Sequence, residues 1–238
     1  MQQDYNFSDQ NMRILTSIIF LMFMFLNTAV YSDELMNILT TKADAGDTES
    51  QALLGVIYLN GIGVSQDNKQ AVRWLLMAAN QDNMKAQMVI ANLYYAGKGV
   101  MQNFKEAASW YHKVAARGDA DAQSMLCELY YEGKGVKQDY KEALSWCLKA
   151  AQQGSINAFI RLGEMYSEGE GVSQDQKEAA GWYRKASDSG SAEAQFYLGA
   201  LFLIGKGVIK EGHHQIRWVA TLDQPHRASG PAHRSGSK

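Results

Sequence analysis

The chain has 238 residues, 46% of them apolar, and a formal net charge of −2. No stripe of basic residues is present that could neutralise a nucleic-acid backbone, which excludes nucleic acid as the expected partner. Glycine occurs 21 times, proline only twice, and no long alternation of Val, Ile and Thr appears, so helices joined by glycine-containing turns are favoured over sheets.

Residues 1–32 predict a signal peptide. The apolar run Ile14–Leu26 spans about 13 residues, which suits a signal peptide better than a membrane-spanning helix of about 20 residues. Val30 and Ser32 supply small side chains for cleavage after Ser32. Translation from Met12 would remove the acidic residues that precede the run. An uncleaved anchor, giving the only membrane contact, and a buried core helix are the alternatives. We expect an exported protein that is periplasmic, extracellular or envelope-associated.

A single period of 36 residues organises the rest of the chain. The motif Gly-x-Gly-Val recurs at this step, with its first glycine at Gly61, Gly97, Gly133, Gly169 and Gly205. All five tryptophans keep the same step: Trp74, Trp110, Trp146, Trp182 and Trp218. A fixed period of this length indicates a repeat architecture. The predicted repeat region covers 48–208, with repeats at 48–83, 84–119, 120–155, 156–191 and an incomplete 192–227. Residues 33–47 match the second half of a unit and predict a capping helix.

Each unit predicts two helices. In the third unit, one face of the first helix carries apolar residues at i, i+4, i+7 and i+8: Ala122, Leu126, Leu129 and Tyr130. This helix should end near Gly133, because glycine accepts the left-handed cap conformation. A second helix should start after Asp139, whose carboxylate can cap a free N–H group. A single hairpin cannot bury its apolar face alone, so we expect an all-α fold, a right-handed α-solenoid of stacked antiparallel helical hairpins.

The residues of each unit resemble a known family. The segments Ala86–Val100 and Lys105–Lys113 follow the pattern of Sel-1-like repeats, which are related to tetratricopeptide repeats. The resemblance covers about residues 43–208. It implies a non-enzymatic protein–protein interaction scaffold. Bacterial members of the family are often exported and act in envelope processes, signalling or host contact, whereas eukaryotic members serve quality control in the endoplasmic reticulum.

The pattern fails after Val208. The last residues, 223–238, contain Pro225, Pro231 and a run of small polar residues. This composition predicts a disordered tail.

No motif predicts catalysis, a metal site or a cofactor. The Gly-x-Gly-Val motifs follow helices and lack the preceding strand and third glycine of a dinucleotide site. Four of the five histidines lie after Val208 without a second cluster of ligands, and His112 is interpreted as a helix-surface residue. No serine stands in a Gly-x-Ser-x-Gly turn. We therefore predict that the chain is not an enzyme; a hydrolase acting on cell-wall-related small molecules is the least favoured alternative.

The two cysteines leave two interpretations open. Cys127 and Cys147 lie in opposite helices of the third hairpin, and an exported protein could form a disulfide there. Cys127 also occupies a column of small residues, where cysteine acts as a compact apolar filler. The strict distance limits of a disulfide favour buried free thiols.

Columns that vary between repeats predict a partner-binding groove on the other face of the first helices. In the third repeat this variable stripe comprises Ser124, Glu128, Tyr131 and Glu132. The candidate partner-binding residues are Asn92, Tyr95, Glu128, Tyr131, Glu132, Glu164 and Glu168. The glutamates predict an acidic patch that attracts a basic or amphipathic segment of a protein partner, and the tyrosines would anchor it. An ordinary solvated helix face is the alternative. A cell-wall or polysaccharide-binding accessory protein is the alternative function, because exposed aromatic residues suit sugar rings.

Overall fold

The computed structural model describes residues 34–203, and these residues form helices and turns without any strand. The helices are α1 (34–44), α2 (Thr48–Asn60), α3 (Asn68–Asn80), α4 (Met84–Ala96), α5 (Phe104–Ala115), α6 (Ala120–Glu132), α7 (Tyr140–Gln152), α8 (Ile156–Glu168), α9 (Gln176–Asp188) and α10 (Ala192–Leu203). The predicted all-α fold of helical hairpins is confirmed. The predicted signal peptide, the tail and four of the histidines lie outside the described residues.

The chain divides into two compact units, with the boundary between Gln138 and Asp139. In the first unit α2 packs against α3, α3 against α4, α4 against α5, and α5 against α6. In the second unit α7 packs against α8, α8 against α9, and α9 against α10. Within each unit, consecutive helices thus pack against each other, as expected where every repeat contacts only the adjacent repeats.

The helix ends follow from a few polar side chains and glycines. Asp139 precedes α7 in an extended conformation and accepts hydrogen bonds from the N–H groups of Lys141 and Glu142, as predicted. Gly133 ends α6 in the left-handed conformation, with a φ of 69°. In every complete repeat a loop glutamine also donates its side-chain N–H to a carbonyl in the last turn of the first helix, at 2.7–2.9 Å: Gln66, Gln102, Gln138 and Gln174. These bonds fix the loop that joins the two helices of a hairpin.

The second glycine of the Gly-x-Gly motif permits a close approach between repeats. Gly99 has a φ of 77°, and a Cβ atom built on it would lie 2.5 Å from the carbonyl oxygen of Asn68 at the start of α3. The loop of the second repeat therefore rests on the backbone of the first repeat. A side chain at this position has no space.

We expect Gly99→Ala to destabilise the protein more than Gly118→Ala. Both glycines have a positive φ, but a Cβ atom at Gly118 would meet nothing within 4 Å. Both variants carry the cost of the left-handed backbone, and only Gly99→Ala adds an overpacking cost of about 1–3 kcal/mol. Urea denaturation followed by circular dichroism measures the difference. Equal losses in the two variants would contradict the proposed contact between repeats.

The tryptophans lie on the second helices of the hairpins and pack into the core. Trp74 packs with Leu54 of α2 and Ala43 of α1, so α1 covers the end of the first hairpin. Trp110 and Trp146 are also buried, whereas Trp182 is half-buried and stacks on Phe159. The repeated tryptophan column is therefore a packing feature.

The cysteines stand in two columns that touch within the hairpins of the first and fourth repeats. A Cβ atom on Gly163 would lie 2.5 Å from the ring of Tyr183, and one on Gly55 would clash with Leu75. Cys127 and Cys147 stand at the equivalent positions of the third repeat, and both are disulfide-bonded. The interpretation as buried free thiols is wrong, because neither cysteine is a free thiol.

The interpretation of His112 as a surface residue is also wrong. Its side chain is half-buried, and its Nε2 atom lies 3.0 Å from the hydroxyl oxygen of Tyr130. The two rings pack edge to face. His112 thus joins α5 to α6 within the first unit.

Candidate partner-binding surface

The first helices of the repeats, α2, α4, α6, α8 and α10, expose one side, here called the first-helix face. In the first unit this face includes Leu53, Val56, Val89, Asn92, Tyr95, Glu128 and Glu132. In the second unit it includes Arg161, Glu164, Glu168 and Tyr197. The residues differ from one repeat to the next, whereas the packing positions behind them recur.

An open apolar pocket lies on this face in the first unit. It has a volume of about 360 Å³ and is lined mainly by aliphatic side chains, among them Leu39, Leu53, Val56 and Val89. Leu53 is 50% exposed. Glu49 and Lys85 add one charge of each sign. The pocket therefore offers an apolar contact without a net charge of its own.

Asn92 lies one turn beyond Val89 on α4 and is held by a buried tyrosine. The hydroxyl group of Tyr111 donates a hydrogen bond of 2.6 Å to the Oδ1 atom of Asn92. Burial raises the pKa of Tyr111, so its hydroxyl remains a donor at neutral pH. Because Oδ1 accepts this bond, the amide orientation is fixed, and Nδ2 is left as a donor at the exposed surface.

Three more predicted residues surround a lysine that the sequence analysis did not select. The ammonium group of Lys134 lies 2.8 Å from a carboxylate oxygen of Glu132. This hydrogen bond raises the pKa of Lys134, and Tyr95 and Glu128 contribute in the same direction. The ring of Tyr95 packs edge to face on Phe104, with the centroids 5.2 Å apart. The structure therefore brings Tyr95, Glu128 and Glu132 together.

Tyr131 is half-buried on α6, one turn beyond Glu128. Its predicted role as an anchor for a partner stays a prediction.

In the second unit the predicted glutamates lie beside tyrosines. Glu164 forms an ion pair of 2.5 Å with Arg161, and Glu168 is exposed. Tyr183 is buried and stacks on Tyr197 with the ring centroids 5.0 Å apart. Burial raises the pKa of Tyr183, and the carboxylates of Glu164 and Glu168 raise it further. A joint acidic patch of the four glutamates stays a prediction.

One column of this face was not predicted from the sequence, and one residue predicted to lie on the face is buried. Leu53, Val89, Met125, Arg161 and Tyr197 stand at equivalent positions, and all are exposed or half-buried. The sequence could have indicated this column, because its residues vary between repeats and lie one helical turn, three residues, before the Asn92 column. Ser124, which the variable stripe includes, is buried.

Within residues 34–203, no group of three or more His, Cys, Asp or Glu side chains is arranged to hold a metal ion. Over the same residues, no helix combines the length and hydropathy that crossing a membrane requires.

Stacked helical hairpins with a 36-residue period place the chain among the α-solenoid repeat proteins. The Sel1 repeat model matches residues 48–83, 85–119, 120–155, 158–191 and 192–214, more than half of the chain. The protein therefore belongs to the Sel1 repeat family. Proteins of this family are generally protein–protein interaction scaffolds and are typically not enzymes.

Solved structures of the family agree with this assignment. A Sel1 repeat protein from Oxalobacter formigenes has 32% sequence identity and a TM-score of 0.70, over 80% of this chain and 82% of that protein. A protective antigen present in uropathogenic Escherichia coli strains, described as displaying an SLR fold, has 34% identity and a TM-score of 0.72. That match covers 78% of this chain and 40% of the antigen, so this chain spans less than half of it. No curated protein sequence matches the chain.

Proposed function

We propose that this protein is an exported, non-enzymatic adaptor that holds a protein partner on its first-helix face, in bacterial envelope processes, signalling or host contact. The observation that carries the proposal is the composition of this face in the first unit. An open apolar pocket adjoins the Asn92 amide, whose orientation is fixed by Tyr111. The charged side chains of Glu132 and Lys134 follow at the end of α6 and in the next loop. An apolar centre with a polar rim is typical of surfaces that bind proteins.

The raised pKa values of Tyr111 and Lys134, which bond to Asn92 and Glu132 of this face, support binding rather than catalysis. A general base works best when its pKa lies near the working pH. Burial and hydrogen bonding instead raise the pKa values of Tyr111 and Lys134, which are already high in unperturbed residues. Both groups therefore keep their protons at neutral pH and act as hydrogen-bond donors.

Two features support export. Residues 1–32 have the composition of a signal peptide. Cys127 and Cys147 are disulfide-bonded, and disulfides persist mainly in oxidising compartments. The relatives from E. coli and O. formigenes are bacterial, which supports a bacterial setting for the exported adaptor.

Cell fractionation combined with chemical crosslinking tests the proposed function. We expect the tagged full chain to leave the cytoplasm and to form a crosslinked product with one protein species. Leu53→Lys should reduce this product about tenfold or more, because a charge enters the apolar centre of the contact. Met101→Lys is the matched control, since Met101 is 89% exposed and lies in a loop.

Other outcomes would contradict parts of the proposal. Retention of the full chain in the cytoplasm would exclude the exported role. Retention on insoluble peptidoglycan without a protein product would favour the accessory protein that binds the cell wall. Equal crosslinking of Leu53→Lys and Met101→Lys would show that the partner binds elsewhere.

A further inference from the structure

We propose that the partner presents an extended peptide segment, with an apolar side chain in the pocket and a Lys or Arg that faces α6, about three to five residues before or after the apolar residue. This inference rests on the proposed function and specifies the chemistry of its partner. Three independent features of the first unit carry it: the pocket, the orientation of Asn92, and the charge of α6.

The pocket is suited to a large side chain. Its volume of about 360 Å³ lies at the lower end of the range for ligand sites. That space accepts one large aliphatic or aromatic side chain. The pocket is open to solvent, and Leu53 in its lining is half exposed. An open site of this kind allows a longer chain to continue on both sides of the inserted residue.

Asn92 favours an extended segment over a helical one. The bond from Tyr111 fixes Oδ1 as the buried acceptor and leaves Nδ2 at the surface, beside the pocket. An amide donor in this position can bond a backbone carbonyl of the partner. A helix uses most of its carbonyls within itself, whereas an extended segment presents them to its neighbours.

The charge on α6 determines the kind of side chain that is expected there. Helix α4 carries Lys85 as its one charged residue, whereas α6 carries Asp121, Glu128 and Glu132 without any basic residue. Lys134, in the following loop, pairs with Glu132. The face therefore changes from neutral at the pocket to acidic at α6, which complements a basic side chain and opposes an acidic one.

The spacing follows from ordinary dimensions. Helices α4 and α6 both pack against α5, and packed helices lie about 8–10 Å apart. A residue over α6 is therefore expected roughly 10–15 Å from the pocket. An extended chain advances by about 3.3 Å per residue. The basic residue should therefore follow or precede the apolar residue by about three to five positions.

Selection from a displayed library of random twelve-residue peptides on the full chain tests the inference. We expect the enriched peptides to share a large apolar residue and a Lys or Arg at this spacing, without the period of an amphipathic helix. A synthetic copy of an enriched peptide then serves as the probe in fluorescence anisotropy. Circular dichroism and melting curves check that each variant remains folded.

Two substitutions separate the contributions to binding. Val89→Glu should weaken binding of the probe about tenfold or more by placing a charge in the pocket. Asn92→Asp retains the acceptor for Tyr111 but removes the Nδ2 donor. It should weaken binding about fivefold, although its added negative charge alone would strengthen attraction to a basic peptide. Met101→Glu is the control and should leave the affinity unchanged.

The opposite results would overturn the inference. Tighter binding by Asn92→Asp would show that charge alone attracts the peptide. Enrichment of helical or acidic peptides, or of none, would exclude an extended basic segment. A protein captured in cells together with a failed selection would remove this inference and leave the proposed function standing. Peptide binding without capture in cells would contradict the proposed function instead.

Discussion

Trp110→Ala is expected to lower the free energy of unfolding by about 3–5 kcal/mol, because it removes a large buried side chain whose place nearby groups can fill only partly. Trp110 is 8% exposed, and the ammonium group of Lys113 lies 3.8 Å from the centroid of its ring. The substitution also removes this cation–π contact, worth about 0.5–1 kcal/mol at an exposed cation. Urea denaturation followed by circular dichroism measures the loss.

Met101→Ala provides the comparison. Met101 is 89% exposed, so its truncation should change the free energy of unfolding by less than about 0.5 kcal/mol. Similar losses for the two variants would show that the tryptophan column does not carry the packing that the structure assigns to it.

Removal of the cysteines should have the second largest effect. The double variant Cys127→Ala with Cys147→Ala is expected to lose about 2–4 kcal/mol of stability, mainly because the unfolded chain is no longer constrained. Reducing agent should destabilise the unmodified protein by a similar amount and leave the double variant unchanged. Non-reducing gel electrophoresis should show a monomer, as expected for a bridge within one chain. Crosslinked dimers, or no response to reduction, would contradict this prediction.

The fold could be predicted because each repeat places the same residue types at the positions that end and bury its helices. Glycine recurs at a fixed step where a helix must end, as at Gly133, and tryptophan recurs where the second helix is buried, as at Trp110. Asp139 precedes a helix because its carboxylate bonds two free N–H groups. These features are local to one repeat, so a single sequence is enough to recognise them.

The candidate surface could be predicted only in part, because contacts between repeats decide it. The period of one helix separates a buried side from an exposed side, but it does not show how far the neighbouring helix covers the boundary. Ser124 was expected at the surface and is buried, while Val89 and Leu53 lie on the open face. Lys134 was not predicted because it lies in the loop after α6, and its side chain forms an ion pair with Glu132 at the end of that helix.

The cysteines show how a comparison between repeats could have improved the prediction. Gly55 faces Leu75 and Gly163 faces Tyr183, always 20 positions apart, and the two cysteines have the same separation. A small residue that recurs against a large one indicates two columns in contact. This pattern was visible in the sequence, but its meaning depends on knowing which columns face each other.

Site-specific photo-crosslinking in intact cells tests most directly that the first-helix face binds the partner. A photoreactive residue replaces Leu53 or Asn92 on this face, or Ser109 on the exposed side of α5. If the first-helix face binds the partner, Leu53 and Asn92 should give crosslinks to one protein species and Ser109 should give none. Crosslinks from Ser109, with none from the two positions on the first-helix face, would contradict it.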